Sequence, residues 1–153
     1  MLIVDDQPYV LRAIQRVLAD GHDVVTANDG RAALAAIAAS ERPFDVMLCD
    51  VELEGLDVVA LWGELATHHP YLLSRLVFMS AGVLTRAHED FLVESGRPLL
   101  DKPFHIAELR AMVSRTLAAA VAPRLLLARG LAAVDPTATV VAVKRRALSF
   151  ESQ

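Results

Sequence analysis

The chain has 153 residues, enough for one domain with a buried core and little more. Hydrophobic residues make up 54% and aromatic residues only 5%, so that core must be built from Leu, Val, Ile and Ala. A net charge of −4 argues against a general nucleic-acid binder, and the single cysteine, Cys49, excludes an internal disulfide and fits a reducing compartment.

The opening Met-Leu-Ile-Val-Asp-Asp has no basic start and turns acidic before any long apolar stretch, so it does not read as a signal peptide. Leu2–Val4 reads as a first strand. After Gln7-Pro8, the residues Val10, Leu11, Ile14, Val17 and Leu18 share one face at helical spacing. Asp20-Gly21 turns the chain into a second apolar run, Val24–Val25. Asn28-Asp29-Gly30 then precedes a helix over Ala32–Ala39, and Arg42-Pro43 precedes a third strand, Val46–Cys49.

A helix is expected over Leu56–Ala66, then a loop at His68-His69-Pro70 and a fourth strand, Leu76–Met79. Thr85–Ser95 reads as helix and ends at Ser95-Gly96. A short run, Leu99–Leu100, precedes a last helix whose apolar face carries Ile106, Leu109, Met112, Val113 and Leu117. The apolar runs are continuous rather than alternating, as in strands covered on both faces of a parallel sheet. Five strand–helix repeats predict an α/β sandwich with right-handed crossovers, whose ligands lie outside the carboxyl ends of the strands.

Those ends carry Asp5 and Asp6, Asp50, Ser80 and Lys102. Three carboxylates in one small site repel unless a cation is present, and Mg²⁺ is the natural candidate among hard, oxygen-seeking ions. Each residue also has an ordinary reading. Asp5 or Asp6 could cap the first helix, Asp50 could be a cap, Ser80-Ala81-Gly82 a plain turn, and Lys102-Pro103 a loop with a solvated charge. All these readings would have to hold independently at the same edge.

In this order, Leu2-Ile3-Val4-Asp5-Asp6, Asp50, Ser80-Ala81-Gly82 and Lys102-Pro103-Phe104 resemble the receiver (response-regulator) family of two-component signalling, including receivers of hybrid sensor histidine kinases. The resemblance covers residues 1–120. It implies a flavodoxin-like (βα)5 three-layer fold with a five-stranded parallel sheet in the order 2-1-3-4-5. It also implies that Asp50 is the phosphorylated nucleophile, with a phosphohistidine of a histidine kinase or histidine phosphotransfer domain as donor. Asp5, Asp6, a carboxylate oxygen of Asp50 and the backbone carbonyl of Glu52 would hold Mg²⁺. Lys102 and the Ser80 hydroxyl would bind phosphoryl oxygens, and the Lys102-Pro103 bond would be cis. Pairing through the face of the fourth helix, fifth strand and fifth helix is a family habit.

Three features depart from the family. Leu99 stands where an aromatic residue is usual, three positions before the lysine. The loop after Asp50 has Glu54 and Val58 in place of the usual proline and glycine, and Glu52 brings a charge close to the phosphorylation site. Residues 121–153 form a tail without a recognisable output domain: Pro123 is expected to break the last helix, Leu125–Val134 to form a short one, and Thr139–Val143 to be extended. The basic run Lys144-Arg145-Arg146 reads as solvated surface.

Alternatives belong to other classes. A phosphorylation-independent pseudo-receiver would need no acid pocket. A haloacid dehalogenase-type hydrolase would carry Asp-x-Asp after its first strand, whereas Asp50-Val51-Glu52 follows the third. The chain has no Gly-rich nucleotide loop, so it is not itself a kinase. The most apolar window, Leu117–Val134, is interrupted by Pro123, Arg124 and Arg129, and each arginine at a bilayer centre costs about 2.5–3.5 kcal/mol, so the chain reads as cytoplasmic. His68 and His69 point apart as metal ligands, His22, His88 and His105 read as structural or surface residues, and Trp62 and Cys49 read as core.

Overall fold

Helix caps and breaks follow from local chemistry. The computed structural model describes residues 1–82 and 84–128. Strand β1 (Leu2–Val4) leads to helix α1 (Pro8–Leu18), which starts with proline at its first helical position, where a missing N–H costs nothing. Strand β2 (Val25–Ala27) precedes α2 (Gly30–Ala39), whose N-cap Asp29 accepts the Ala32 N–H at 2.7 Å. After β3 (Met47–Asp50), Asp57 caps α3 (Val58–His68) and a 3-10 turn spans Pro70–Arg75. Strand β4 (Leu76–Ser80) precedes α4 (Arg86–Ser95), capped by Thr85 and closed by Gly96 in the left-handed conformation at φ 60°. Strand β5 (Leu99–Asp101) and α5 (Ile106–Ala128) complete the series.

The strands form one parallel sheet in the order β2-β1-β3-β4-β5, the flavodoxin-like (βα)5 arrangement. Alternate residues of each strand face opposite ways, and each face has its own apolar layer. Ile3, Leu48, Val77, Met79 and Leu100 pack with Leu11, Ile14 and Leu18 of α1 and with Leu109 and Val113 of α5. Leu2, Val4, Met47, Cys49, Leu76 and Phe78 pack on the other face with Ala33 and Ile37 of α2 and Val58, Leu61 and Leu65 of α3. Burying each such Leu, Ile or Val contributes about 1.5–3 kcal/mol. Covered on both faces, the sheet leaves its carboxyl edge for chemistry.

Several expectations change. The second strand lies at Val25–Ala27 rather than Val24–Val25; it is an edge strand with Val25 and Thr26 exposed, so apolar content marks it poorly. The third helix runs Val58–His68, starting at the Asp57 cap rather than at Leu56. Pro123 does not break the last helix, which continues to Ala128; proline's fixed φ is itself helical, and the lost N–H bond does not end the helical path there. The expected short helix therefore begins inside α5, and its remainder, the Thr139–Val143 segment and the Lys144-Arg145-Arg146 run lie outside the described residues.

Two glycines test the packing in opposite directions. A Cβ on Gly30, at the start of α2, would lie 2.9 Å from Leu56 Cβ and 3.0 Å from the Leu56 carbonyl oxygen, so α2 holds the loop after Asp50 by close approach. A Cβ on Gly63, within α3, would meet nothing within 4 Å. We expect Gly30→Ala to lower the unfolding free energy by about 1–3 kcal/mol through overpacking. Gly63→Ala should raise it by up to about 1 kcal/mol through helix propensity. Urea unfolding of the two variants beside the parent measures both; equal shifts of the same sign would refute the packing account.

Candidate functional site

The first three strands of the register, β2-β1-β3, deliver the acidic residues. Asp5 follows β1 and its N–H donates to the Ala27 carbonyl at 3.1 Å; Asp50 is the last residue of β3. Both are buried, at 0% and 1% exposure, and Asp6 is half-buried. One carboxylate oxygen from each of Asp5, Asp6 and Asp50 lies within 4.8 Å of the others, a set that can hold a metal ion. None of them caps a helix: α1 has Gln7 as its N-cap residue and α3 has Asp57.

Lys102 reaches the same point from the far side of the sheet. Its Nζ donates to Asp5 Oδ2 at 2.5 Å and to Asp50 Oδ2 at 2.8 Å. Its N–H donates to the Ser80 carbonyl at 2.6 Å, tying the end of β5 to the end of β4. The Lys102-Pro103 peptide is cis, as expected from the resemblance. The second oxygen of Asp5 accepts the Gln7 N–H at 2.9 Å, and Asp50 Oδ1 accepts the Glu52 N–H at 3.3 Å. The Glu52 side chain itself is exposed.

Two polar atoms at this edge have no partner, Asp6 Oδ1 and Ser80 Oγ, and both are buried. A desolvated carboxylate oxygen without a hydrogen bond is costly unless a cation meets it. The donor set is all oxygen and anionic, which suits a hard divalent ion. The residues present therefore fit a metal site of the receiver kind.

Burial and neighbouring charges together set the titration. Burial pushes the Asp5 carboxyl up from its ordinary range, the hydrogen bonds from Lys102 and Gln7 only partly oppose this, and the Asp50 charge adds to the rise. Burial alone would lower the Lys102 ammonium, but its hydrogen bonds and the charges of Asp5 and Asp50 outweigh burial and raise it. Cys49, adjacent in sequence, points into the opposite apolar layer; burial and then the Asp50 charge push its thiol up, so it remains a protonated core group.

Other singled-out residues stand apart from this pocket. His68 faces Glu64 at 3.8 Å on the exposed side of α3, and His69 stacks edge-on with Tyr71. Trp62 packs against Phe78 and Phe91, as expected of a core residue. Sequence reasoning missed the Gln7 N–H that orients Asp5. Its signal was Pro8, which fixes the helix start and leaves the preceding backbone free to turn toward the carboxylate.

A doubly wound α/β domain with an acidic pocket and a half-buried lysine at the carboxyl edge of its sheet defines the class. The chain belongs to the response regulator receiver domain family, whose family model matches residues 1–114. It is 32% identical over 125 residues to the transcriptional regulatory protein KdpE of Mycobacterium tuberculosis, covering 78% of this chain and 53% of that protein. It is 33% identical over 116 residues to the DNA-binding transcriptional regulator NtrC of Salmonella typhimurium, covering 75% of this chain and 24% of that one. The chain thus spans about half the length of the first relative and about a quarter of the second. Among solved structures, the receiver domain of NtrX from Brucella abortus is similar at a TM-score of 0.66 and 30% identity, covering 76% of this chain and 97% of that chain. Family membership implies phosphoacceptor signalling in a two-component system, with a histidine kinase as partner. Among the described residues, no helix is long and apolar enough to cross a membrane.

The raised Asp5 pKa has a definite sign. The folded state binds the proton more tightly than the unfolded state, so stability falls as pH rises through the window between the ordinary carboxylate value and the raised folded one, and the loss is complete above it. The Lys102 contribution has the same sign in a higher window: it is fully present below the ordinary lysine value and is lost as pH rises through the raised folded one. In metal-free buffer at neutral pH we expect Asp5→Asn to raise Tm, because the amide oxygen still accepts from Lys102 without the charge. The variant should also lose the parent's gain in Tm on mild acidification. A lowered Tm for the variant at neutral pH would show that the ion pair outweighs the crowding of carboxylates.

Proposed function

We propose that Asp50 accepts a phosphoryl group from a phosphohistidine of a histidine kinase or of a histidine phosphotransfer domain, and that the phosphorylated chain alters partner binding or passes the group on. The observation that supports this best is the double hydrogen bond of Lys102, the one lysine among the described residues and half-buried, to Asp5 and Asp50. Asp5, Asp6, a carboxylate oxygen of Asp50 and the backbone carbonyl of Glu52 would hold Mg²⁺. Bound there, the ion supplies positive charge that offsets the carboxylates and the incoming phosphoryl oxygens.

This chain's own residues do the remaining work. An Asp50 carboxylate oxygen provides the electron pair for the new O–P bond as the P–N bond to the donor imidazole breaks. The imidazole, protonated on its other nitrogen in the phosphohistidine, keeps the pair from the broken bond and leaves as neutral imidazole. Lys102 lies 2.8 Å from Asp50 and would turn its charge to a phosphoryl oxygen as negative charge arrives. The Ser80 hydroxyl, buried and without a partner, would donate to another. The Glu52 N–H already points at Asp50 Oδ1 and would steady the acceptor. We assign this chemistry to residues 1–120, which contain every residue named, and place the protein in the cytoplasm with its kinase.

Intact mass after incubation with Mg²⁺ and acetyl phosphate tests the reading. We expect a single phosphoryl adduct that requires Mg²⁺ and is absent in Asp50→Asn. No adduct, together with no binding of beryllofluoride, would overturn it. Mg²⁺ should also raise Tm of the parent, by about 2.7 kcal/mol of stability at a hundredfold excess over its Kd, and an Asp6→Ala variant should lose most of that gain.

A further inference from the structure

The acidic pocket has two banks, and one short stretch of chain, Ala27–Gly30, touches both. Asp5 stands on the first bank, where its N–H donates to the carbonyl of Ala27, the last residue of β2, at 3.1 Å. The loop that follows Asp50, from Val51 to Asp57, forms the second. Three residues beyond Ala27, at the first position of α2, Gly30 is buried against Leu56 of that loop. A Cβ on Gly30 would come within 2.9 Å of Leu56 Cβ, 3.0 Å of its carbonyl oxygen and 3.1 Å of its Cδ2. Only a residue without a side chain admits so close an approach. Asp29 caps α2, and the buried Ala33 and Ile37 tie that helix to the sheet, so its start is a fixed point.

The loop has little of its own to fix its shape. At its start, Val51 N–H donates to the Met79 carbonyl at 2.9 Å and Glu52 N–H to Asp50 Oδ1 at 3.3 Å. Beyond that point Glu54 and Gly55 are exposed, and Gly55 takes φ 84° with open space around it. Glu54 places no ring restraint on its own φ. Leu53 and Leu56 are the half-buried residues that anchor the span in the core. Resting on the proposed binding of Mg²⁺, we infer that Gly30 is a positioning residue for the ion. Its contact with Leu56 holds the loop in the shape that presents the Glu52 carbonyl, and so sets the affinity of the site. Mg²⁺ tolerates little departure from octahedral geometry, so a small displacement of one oxygen ligand weakens binding. A methyl group on Gly30 must push Leu56 away, because the nearest atoms are its Cβ and backbone oxygen rather than a flexible chain end. Asp50 ends β3 and Lys102 follows β5, so neither depends on this contact for its place.

Calorimetric titration of the full chain with Mg²⁺ gives the affinity, and intact mass with acetyl phosphate gives the rate of adduct formation. For Gly30→Ala we expect Kd for Mg²⁺ to rise about tenfold, the scale on which groups that orient metal ligands act. At saturating Mg²⁺ the adduct should form at the parent's rate, because Asp50 and Lys102 keep their places. Ala33→Gly weakens the same helix without pressing on Leu56 and should keep the parent's Kd. Leu56→Ala loosens the loop from its anchor and should weaken Mg²⁺ as Gly30→Ala does; it carries the test if Gly30→Ala does not fold. An unchanged Kd in Leu56→Ala or in folded Gly30→Ala overturns the inference, as does an equal rise in Ala33→Gly. In each of these cases a parent that binds Mg²⁺ and forms the adduct leaves the phosphoacceptor reading standing. A parent that takes up neither Mg²⁺ nor a phosphoryl group removes that reading, and this inference with it.

Discussion

Negative charge gathered at one end of a parallel sheet is the constraint around which this molecule is arranged. Asp5, Asp6 and Asp50 bring three carboxylates to a site where Lys102 supplies one ammonium. Asp5 and Asp50 are removed from water almost completely, so their repulsion is screened little. Lys102 sits between them and hydrogen-bonds to both, which makes the imbalance tolerable without cancelling it. Burial first, and the Asp50 charge in smaller part, push the Asp5 carboxyl up. The arrangement suits a hard cation, whose charge would relieve a cost already built into the fold.

The apolar sheet makes such a site possible. All five strands run the same way, so every strand delivers its last residue to the same edge. The layers beneath α1 and α5 and beneath α2 and α3 are dense with Leu, Ile and Val, and they hold the strand ends in place against electrostatic repulsion. Backbone contacts add precision: Lys102 N–H to the Ser80 carbonyl, Val51 N–H to the Met79 carbonyl at 2.9 Å, and Gln7 N–H to Asp5. The close approach of Gly30 to Leu56 secures the loop that follows Asp50. Helix α4 is the exception, with no buried residue of its own, resting through Phe91 on Phe78.

Strand positions β1, β3 and β4 were legible because each is a continuous apolar run bounded by acidic or polar residues, the pattern forced by burial on both faces. The edge strand β2 was displaced in the reading because exposure of Val25 and Thr26 removes that pressure. The turn Pro70–Arg75 and the passage of α5 through Pro123 were also missed. Local preference is weak in both, and neighbouring packing or helix continuation outweighs it.

The sequence by itself determined the repeat of strand and helix, the sheet type and the identity of the residues at the strand ends, since periodicity and turn chemistry are local properties. It also carried the order of Asp5, Asp6, Asp50, Ser80 and Lys102 that marks the family. Only the tertiary structure decided that Lys102 bridges Asp5 and Asp50 across 97 and 52 positions of sequence. The same is true of the unpartnered Asp6 and Ser80 atoms, and of the meeting of Phe91 with Trp62 over Phe78. Those relations depend on distances and burial between segments remote in the chain, which residue order does not encode locally and which close packing of the whole sheet sets.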